Sequence, residues 1–376
     1  MKKKVLSIEL EPTPYKFDLW NAFPECSEYD LWVIFTTSKN WAKDAGHDYQ
    51  SLQKANFSFD VLGGKRIWRG FLAGWWSIRA INKYDPDLVV IWGYSTSACL
   101  ISAVWCALHR KRFVLFVDMF NTGEPSGRLI LLKQLLREAV RKFIFRTSDH
   151  ILTSGVLGRQ SAIEAGCAVQ KVIDFPYVVD IARILADVPE SFPVACIDDI
   201  NSPHPVIFFS GRMIERKGLH VLLSALSKIP KSISWVLWVE GDGPLIEKYK
   251  DMAIRFGVAQ RVKFLGFSQY STHSVLLRES DIVVVPSLDD HWGIVVDESV
   301  QARKPVISTS ATGAAVDRIQ DGANGFLIRP GDEDALRDRL DFLLDEDRYR
   351  KFVRSLPSPA KTVTPVQNIN TILNLL

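Results

Sequence analysis

The chain has 376 residues, of which 47% are hydrophobic and 24% are charged, and its formal net charge is +3. This length predicts two domains, and the small net charge does not indicate a nucleic-acid-binding protein. The five cysteines are dispersed and form no CxxC pair. This pattern disfavours a disulfide framework and a zinc site, and it predicts a reducing, cytoplasmic location.

The first half of the chain alternates strand-like and helix-like segments. Strands are predicted at 5–10, 31–36, 57–62, 88–92, 113–117 and 150–153, and helices at 70–83, 96–109 and 128–146. We interpret 5–10 as a strand and not a signal peptide, because Glu9 and Glu11 interrupt and end the apolar run. The longest apolar stretch, 99–108, is about half of the roughly 20 residues that a membrane-spanning helix needs. The alternation predicts a Rossmann-like domain over 1–185.

A second alternating series follows a Pro- and Asp-containing linker predicted at 181–204. Its strands are predicted at 206–210, 235–240, 262–265, 281–286, 305–308 and 325–328, and its helices at 217–229, 244–256, 270–279, 294–303 and 333–345. This series predicts a second Rossmann-like domain over 205–350, with a tail at 351–376 that packs back toward the first domain. The predicted fold class is α/β, with two parallel sheets facing a central cleft.

The most informative segment is 287–308, which reads SLDDHWGIVVDESVQARKPVIS. It follows a buried-strand pattern and places Asp290 and Glu298 eight residues apart across a strand-to-helix turn. In a parallel sheet this turn lies at the carboxyl end of the strand, where such folds bind ligands. Gly293 allows close approach of the backbone, and the N–H groups that open the helix can bind an anion. Asp297 is expected to be a solvated neighbour of Glu298.

Two basic residues bracket another strand-to-helix turn, in FFSGRMIERKGL. Arg212 follows the strand and Lys217 precedes the helix, so the two cations and the helix N–H groups predict a pocket for a diphosphate. Alternatively, both are surface charges on an ordinary turn. The glycines of the next turn, EGDGP at 240–244, permit a sharp bend near a ligand but are weak evidence alone.

The order of these motifs carries more information than any one of them. GR…KG, EGDGP, VKFLGF, VPSL…D-x7-E, KPVISTSATGAA and DGANGFLIRPGD occur in succession. Over about 206–340 the sequence resembles the retaining nucleotide-sugar glycosyltransferases of the GT-B fold, specifically glycosyltransferase family 4 of the bacterial surface-polysaccharide type. Over the first half the resemblance is mostly architectural.

The resemblance implies roles for the matching positions. Arg212 and Lys217 would contact the donor pyrophosphate and stabilise the leaving diphosphate. Glu298 would bind the nucleotide ribose, and Asp290 would lie near the donor sugar, although the family usually has Glu there. The other implied donor-binding positions are Gly211, Gly243, Lys263, Phe267, Gly293, Ile294 and Val295. The resemblance also implies retention of configuration, no carboxylate nucleophile, no metal and no other cofactor, because positive side chains replace the metal in GT-B enzymes.

The acceptor side is harder to identify from the sequence. Asp118 ends a predicted strand, and Glu124 lies in the glycine-containing loop after it, so either could bind or deprotonate an acceptor hydroxyl. Alternatively, these acids cap a helix or a turn. Tyr15 lies in an N-terminal loop, 11–15, that resembles the acceptor-side loop of bacterial surface-polysaccharide transferases. His109 and His150 are interpreted as ordinary residues at the ends of elements.

Two basic stretches with apolar faces are candidates for peripheral contact with an anionic membrane. They are 65–84, with Trp68, Trp75 and Trp76, and 128–146, with six cations and a single acid. Alternatively, the apolar faces belong to the domain core and the cations to a solvated face. Membrane contact would place the chain on the inner face of the cytoplasmic membrane.

The resulting hypothesis is a glycosyltransferase that moves a sugar from a nucleotide-sugar donor to a saccharide or lipid-linked saccharide acceptor. Lipopolysaccharide O-antigen or capsular polysaccharide biosynthesis is the expected pathway, and nucleic acid is not an expected partner. One alternative is a GT-B nucleotide-sugar 2-epimerase, which would need several acids and a histidine around the cleft, a set not apparent in the sequence. The other is a nucleotide-sugar-binding protein without transfer activity.

Overall fold

A computed structural model describes residues 2–24, 28–36, 55–62, 67–94, 96–118, 128–178, 205–358 and 363–376, without the side chains of 14, 67–71 and 128–137. The chain forms two compact units, one comprising 1–178 and 363–376 and the other 179–362. The predicted linker at 181–204 and the candidate residue Glu124 lie outside the described residues.

The first unit contains a seven-stranded, all-parallel sheet. Its strands are β1 (Lys3–Glu9), β2 (Tyr29–Phe35), β3 (Ser58–Val61), β4 (Leu88–Trp92), β5 (Phe113–Val117), β6 (His150–Thr153) and β7 (Val172–Asp174), in the order β3-β2-β1-β4-β5-β6-β7. Strands β4 and β5 are buried along their whole length, as expected for apolar runs covered by helices on both faces. Strand order reverses between β1 and β4.

Helices cover both faces of this sheet, and two apolar cores lie on its opposite sides. The helices are α1 (Pro14–Asn21), α2 (Ile67–Tyr84), α3 (Ser97–Leu108), α4 (Arg128–Thr147), α5 (Gly155–Glu164) and, from the C-terminal segment, α13 (Pro365–Leu373). Helix α13 begins with a capping box formed by Thr364 and Gln367, and its Ile369 and Ile372 pack in the same core as Phe17. The C-terminal segment is therefore part of the first unit.

The second unit contains a six-stranded parallel sheet. Its strands are β8 (Val206–Ser210), β9 (Val236–Glu240), β10 (Val262–Gly266), β11 (Ile282–Val285), β12 (Val306–Thr309) and β13 (Gly325–Ile328), in the order β10-β9-β8-β11-β12-β13. Its helices are α6 (Leu219–Ser227), α7 (Ile246–Arg255), α8 (Tyr270–Glu279), α9 (Ile294–Gln301), α10 (Gly313–Arg318), α11 (Glu333–Leu344) and α12 (Glu346–Ser355). Strand order reverses between β8 and β11.

The prediction of two parallel-sheet α/β domains is confirmed. Most predicted strands begin and end within two residues of the observed ones. The predicted domain boundary at 350 falls inside helix α12, which packs on the second unit through Phe352, so that unit includes the whole of α12. None of the helices in the described part of the chain is both long enough and apolar enough to cross a membrane.

Candidate functional site

The carboxyl edge of the second sheet gathers most of the residues that the sequence singled out. Strands β8 and β11 are neighbours, and the chain leaves them toward opposite sides of the sheet. Such a point of reversal opens a crevice between the two following loops, which is where doubly wound sheets bind ligands. The loop after β8 contains Arg212 and Lys217, and the loop after β11 contains Asp290.

Gly218 fixes the position of Lys217 in this crevice. The residue has φ +73°, in the left-handed region that glycine tolerates best, and it separates a short 3-10 turn, Glu215–Lys217, from α6. A Cβ atom at this position would lie 1.9 Å from the carbonyl oxygen of Pro286. The loop after β8 therefore packs directly on the chain that leaves β11, and only glycine fits at the contact.

Lys217 and Asp290 form an ion pair across the two loops. The Lys217 Nζ atom lies 2.5 Å from Asp290 Oδ2, and the Asp290 side chain is buried. Arg216 adds a contact of 3.5 Å between Nη1 and Asp290 Oδ1, and it donates a hydrogen bond of 2.9 Å to the carbonyl of Asp289. The sequence analysis did not identify Arg216, although it stands beside Lys217 in the same basic motif.

Arg212 differs from Lys217 in its surroundings. Its side chain is exposed, and it makes no hydrogen bond or ion pair with another residue in the part of the chain that the structure describes. Three cationic residues, Arg212, Arg216 and Lys217, thus lie within six residues, and Arg212 is the one whose side chain pairs with no other described residue. Since an ammonium group has three N–H donors, Lys217 also retains donors beyond the one that it gives to Asp290.

The N-terminus of α9 lies beside this charged pair. Gly293, at φ +78°, is the residue before the helix, and a Cβ atom there would lie 2.4 Å from the Thr312 side chain and 3.4 Å from Asp290 Oδ2. The backbone N–H groups of Ile294 and Val295 belong to the first turn, where they have no partner within the helix. These N–H groups and the positive end of the helix dipole favour an anion at this place.

The remaining implied donor-binding positions lie at the ends of β8, β9 and β10. Gly211 follows β8, and its amide donates to the carbonyl of Glu240. Gly243 packs against Met213, and a Cβ atom there would lie 2.8 Å from two backbone atoms of that residue. Packing between the two loops is thus enough to require glycine at 243. Lys263 lies within β10, and Phe267 is half exposed just beyond its end.

Glu298 belongs to a buried cluster of hydrogen bonds that the sequence analysis missed. His273 lies between two carboxylates, with Nδ1 2.6 Å from Glu240 Oε2 and Nε2 2.9 Å from Glu298 Oε2. The Tyr270 hydroxyl donates a hydrogen bond of 2.7 Å to the other Glu298 oxygen. The two carboxylates raise the pKa of His273 well above its usual value, despite burial, and His273 in turn lowers the pKa of Glu240.

The expectation that Asp297 is solvated is wrong. Its side chain is almost completely buried, and Oδ1 lies 3.1 Å from Arg318 Nε, with the Arg318 guanidinium stacked 5.4 Å from the centre of the Trp292 ring. Helix α10 covers the face of α9 that the helical periodicity assigns to solvent. Burial raises the pKa of Asp297 to about 6, although Arg318 opposes this shift.

In the first unit, two of the three candidate acceptor-side residues lie together. Tyr15 and Tyr177 stack edge to face with their ring centres 4.7 Å apart. Asp118, after β5, accepts a hydrogen bond of 3.2 Å from Ser154 and lies within reach of the Tyr177 hydroxyl. Burial and the nearby Asp118 carboxylate raise the pKa of Tyr177 well above its usual value. Tyr177 was not identified from the sequence.

The point of reversal in the first sheet also contains buried charges. Glu9 ends β1 and pairs with Lys16, with Oε2 and Nζ 3.0 Å apart, and the Lys16 ammonium lies 5.2 Å from the centre of the Trp92 ring. Glu11 follows in the loop, and its Oε2 atom is buried without a hydrogen-bond partner in the described residues. Burial raises the pKa of Glu11 to about 7.

Among the described residues, no group of three or more histidine, cysteine or acidic side chains is placed to hold a metal ion. Cys99, Cys106 and Cys167 are buried free thiols, and burial raises the pKa of Cys99 to about 11. The carboxyl edge of the second sheet instead presents cations and helix N–H groups, which suit a phosphate-containing ligand.

Comparison with known protein families finds a match in the second unit. Residues 197–355 match the family described as glycosyl transferases group 1. The lipopolysaccharide core biosynthesis glycosyltransferase LpsE of Rhizobium meliloti is 29% identical over 172 residues, which are 45% of this chain and 49% of LpsE. The chain spans less than half the length of the curated relatives that it matches first. The second unit is therefore similar to the group 1 glycosyltransferases, which supports the predicted resemblance at this coarser level.

Solved structures extend the similarity to the fold of the whole chain. Anabaena Alr3699/HepE in complex with UDP and glucose aligns over 100% of both chains with a TM-score of 0.76 and 19% identity. A UDP-N-acetylglucosamine 2-epimerase from Listeria monocytogenes, described as putative, aligns over 99% of this chain and 95% of its own, with a TM-score of 0.67 and 16% identity. These similarities establish the GT-B fold, and because transferases and an epimerase share it, they do not by themselves select an activity.

Proposed function

We propose that the protein is a glycosyltransferase that moves a sugar from a nucleotide-sugar donor to a saccharide or lipid-linked saccharide, with retention of configuration. The observation that carries this proposal is the cationic crevice between β8 and β11. It combines Arg212, Lys217 and the N-terminus of α9 at the point where the sheet reverses. The group 1 match covers this same crevice, and a structural neighbour was solved with UDP and glucose.

The chemistry follows from the charge that develops when the sugar–phosphate bond breaks. The departing diphosphate gains negative charge, which the Arg212 guanidinium, the Lys217 ammonium and the Ile294 and Val295 amides can stabilise electrostatically. Asp290 holds Lys217 in place and would lie near the sugar. Because Lys217 and the two amides are fixed by packing at Gly218 and Gly293, these three donors need little reorganisation when the bond breaks. No metal or other cofactor is assigned to this step.

Thermal stabilisation by nucleotides tests the donor site directly. A ligand that binds only the native state raises its stability, and a 100-fold excess over Kd contributes about 2.7 kcal/mol. We expect one nucleoside diphosphate among UDP, ADP, GDP, CDP and TDP to raise the Tm, and Arg212→Ala and Glu298→Ala to remove the shift. Arg255→Ala, at an exposed arginine on α7, is the matched control and should retain it. If millimolar concentrations of all five leave the wild-type Tm unchanged, the proposal is wrong.

Two other functions predict different results in a turnover assay. The 2-epimerase alternative was set aside because no acid–histidine set was apparent, but the structure contains one, Glu240–His273–Glu298. Both His273 nitrogens are engaged by carboxylates, so neither is available to move a proton. Incubation with UDP-N-acetylglucosamine and separation of the sugars would reveal an epimerase. A binding protein without activity would show the nucleotide-dependent Tm shift but no release of nucleoside diphosphate with any saccharide acceptor.

We further propose that the first unit contacts an anionic membrane, which would bring the enzyme to a lipid-linked acceptor. Along α2, Leu72, Trp75 and Trp76 are 57%, 50% and 51% exposed, while the opposite face is buried. The Arg79 guanidinium lies 4.8 Å and 5.6 Å from the centres of the two Trp rings. Exposed aromatic residues beside a cation are typical of helices that lie in a membrane interface. The second predicted stretch, 128–146, has described side chains only from 138 onward.

Sedimentation with vesicles tests this contact. We expect the wild type to bind vesicles that contain phosphatidylglycerol, and the double substitution Trp75→Ser/Trp76→Ser to weaken binding without a change in Tm greater than a few degrees. Ile254→Ser, at an exposed apolar residue of the second unit, is the control. Equal binding by the wild type and the double variant would exclude α2 as the contact.

Lipopolysaccharide O-antigen or capsule assembly remains our proposal for the pathway, and the similarity to LpsE supports it.

A further inference from the structure

The buried cluster around His273 has a geometry that a simple structural ion pair does not require. Glu240 ends β9, Tyr270 and His273 lie one turn apart on α8, and Glu298 lies on α9. Residues three apart on a helix share a face, so Tyr270 and His273 both point at Glu298. Each contacts a different oxygen of its carboxylate, at 2.7 Å and 2.9 Å. The orientation of this carboxylate is therefore fixed at both oxygens.

The hydrogen bonds determine the protonation state of each residue in the cluster. An ionised carboxylate can only accept, so a His273 ring placed between two carboxylates must donate from both nitrogens, which makes it an imidazolium. The charged and titratable groups that face it are Glu240 from β9, Glu298 from α9 and Tyr270 from its own helix. Two carboxylates and one imidazolium leave a net charge of −1 in a buried site. An arrangement with one carboxylate fewer would have a lower electrostatic free energy.

Glu298 retains the capacity to bind a ligand after these contacts are made. A carboxylate has about four lone-pair sites, two on each oxygen, and Tyr270 and His273 use one on each. One site therefore remains on each of two neighbouring oxygens. Two adjacent hydroxyl groups, such as those of a ribose, can donate to such a pair of sites at once.

We propose that Glu240, His273 and Tyr270 are positioning residues that orient Glu298 so that it binds both ribose hydroxyls of the donor nucleotide. This inference rests on the proposed function. Glu240 acts through His273, because it holds the ring with Nε2 directed at Glu298 and keeps the ring charged. Tyr270 fixes the second oxygen. None of the three needs to touch the ligand.

The test uses ligands that lack the hydroxyl groups. The affinities of UDP, ADP, GDP and CDP for the wild-type protein are measured by calorimetry, and the tightest binder is compared with its 2′-deoxy and 3′-deoxy forms. We expect wild type to lose about tenfold in affinity when either hydroxyl is missing, which corresponds to 1.4 kcal/mol. His273→Gln and Tyr270→Phe should bind the ribonucleotide about tenfold more weakly, but the deoxynucleotides no more than about twofold more weakly than wild type does.

Arg212→Ala is the matched comparison, because a phosphate contact does not depend on the sugar. It should weaken the ribonucleotide and the deoxynucleotides by the same factor. Tyr270→Phe removes one oxygen atom from a half-buried side chain, so it keeps the test valid if His273→Gln does not fold. Retained affinity for the deoxynucleotides also demonstrates that each variant is folded.

The outcomes separate this inference from the proposed function. Loss of affinity by the same factor for all ligands would mean that His273 only stabilises the fold, and unchanged affinity would mean that Glu298 needs no positioning. Either result overturns the inference while leaving the donor site in place. If the wild type binds none of the five nucleoside diphosphates, the proposed function fails and the inference fails with it, whereas binding of TDP alone, which has no 2′-hydroxyl, overturns only the inference.

Discussion

The carboxyl edges of the two sheets differ in how they compensate buried charge. In the second unit, Asp290 pairs with Lys217, and Glu240 and Glu298 share His273, so each of these buried acids has a cation at hydrogen-bonding distance. In the first unit, Glu9 has Lys16, but the Glu11 carboxyl group forms no ion pair in the described residues, and its buried Oε2 atom accepts no hydrogen bond there. The edge that is predicted to bind the donor is therefore already organised, whereas the other holds a costly carboxyl group.

This difference fits the chemistry of the two proposed substrates. A diphosphate needs fixed cations, and cations on a protein are held in place by carboxylates that accept their hydrogen bonds. A saccharide needs hydrogen-bond acceptors for its hydroxyl groups. A buried carboxyl group without a donor costs free energy in the isolated protein, and a sugar hydroxyl would satisfy it. We therefore propose Glu11 as a further candidate for contact with an acceptor.

The largest effect is expected at the charged pair of the second unit. Replacement of Lys217 by Ala removes a cation from the departing diphosphate, and loss of one such electrostatic contact commonly lowers kcat by about 10²- to 10³-fold. Steady-state kinetics of nucleoside diphosphate release would measure kcat. Lys228→Ala, at a lysine that pairs with Glu333 away from the crevice, is the control and should stay within about twofold of the wild type. A similar loss in both variants would remove Lys217 from the mechanism.

The loop that contains Lys217 should be destabilised by a change in the size of the neighbouring residue, Gly218. Gly218 and Gly257 have nearly the same backbone angle, φ +73° and +70°, but a Cβ atom would meet the Pro286 carbonyl at the first and open space at the second. Each Gly→Ala change costs about 1 kcal/mol because of its positive φ. We expect Gly218→Ala to cost roughly 2 kcal/mol more because of the clash. Urea denaturation measures both changes, and equal losses would show that the loop can move aside.

Much of the second unit could be predicted because its signals are local. Buried parallel strands are short apolar runs, and the GR…KG turn, the glycines and D-x7-E each lie within a dozen residues. The sequence could not predict the partners of these residues with equal success. Glu240, His273 and Glu298 are 33 and 25 residues apart, and a lone histidine in an apolar helix resembles an ordinary core residue. A feature of the sequence that could have indicated this cluster is Glu240, an acidic residue at the end of the apolar strand VLWVE.

Other errors have the same physical origin. Asp297 was assigned to solvent from the periodicity of α9 alone, but α10 has six residues and could not be recognised as the element that covers it. In the first unit, Tyr177 follows β7, which has three residues and too short a pattern to predict. Short elements contribute little to periodicity, yet they determine which side chains are buried at the edge of a sheet.

A smaller effect on the free energy of unfolding is expected from Glu11, an acid of the first unit that is partly buried without an ion-pair partner in the described residues. The folded protein raises the Glu11 pKa from 4.5 to about 7, so between these values the folded state keeps a proton that the unfolded state releases. The contribution of Glu11 to stability therefore falls as the pH rises from about 4.5 to 7 and then levels off. Glu11→Gln removes this dependence, and after allowance for partial exposure it should be about 1 to 2 kcal/mol more stable than the wild type at pH 8 and equally stable at pH 4. Urea denaturation at both pH values, with the exposed Glu28→Gln as control, measures the difference. If Glu11→Gln is less stable at pH 8, the carboxylate has a partner that compensates its burial, and the contrast between the two edges disappears.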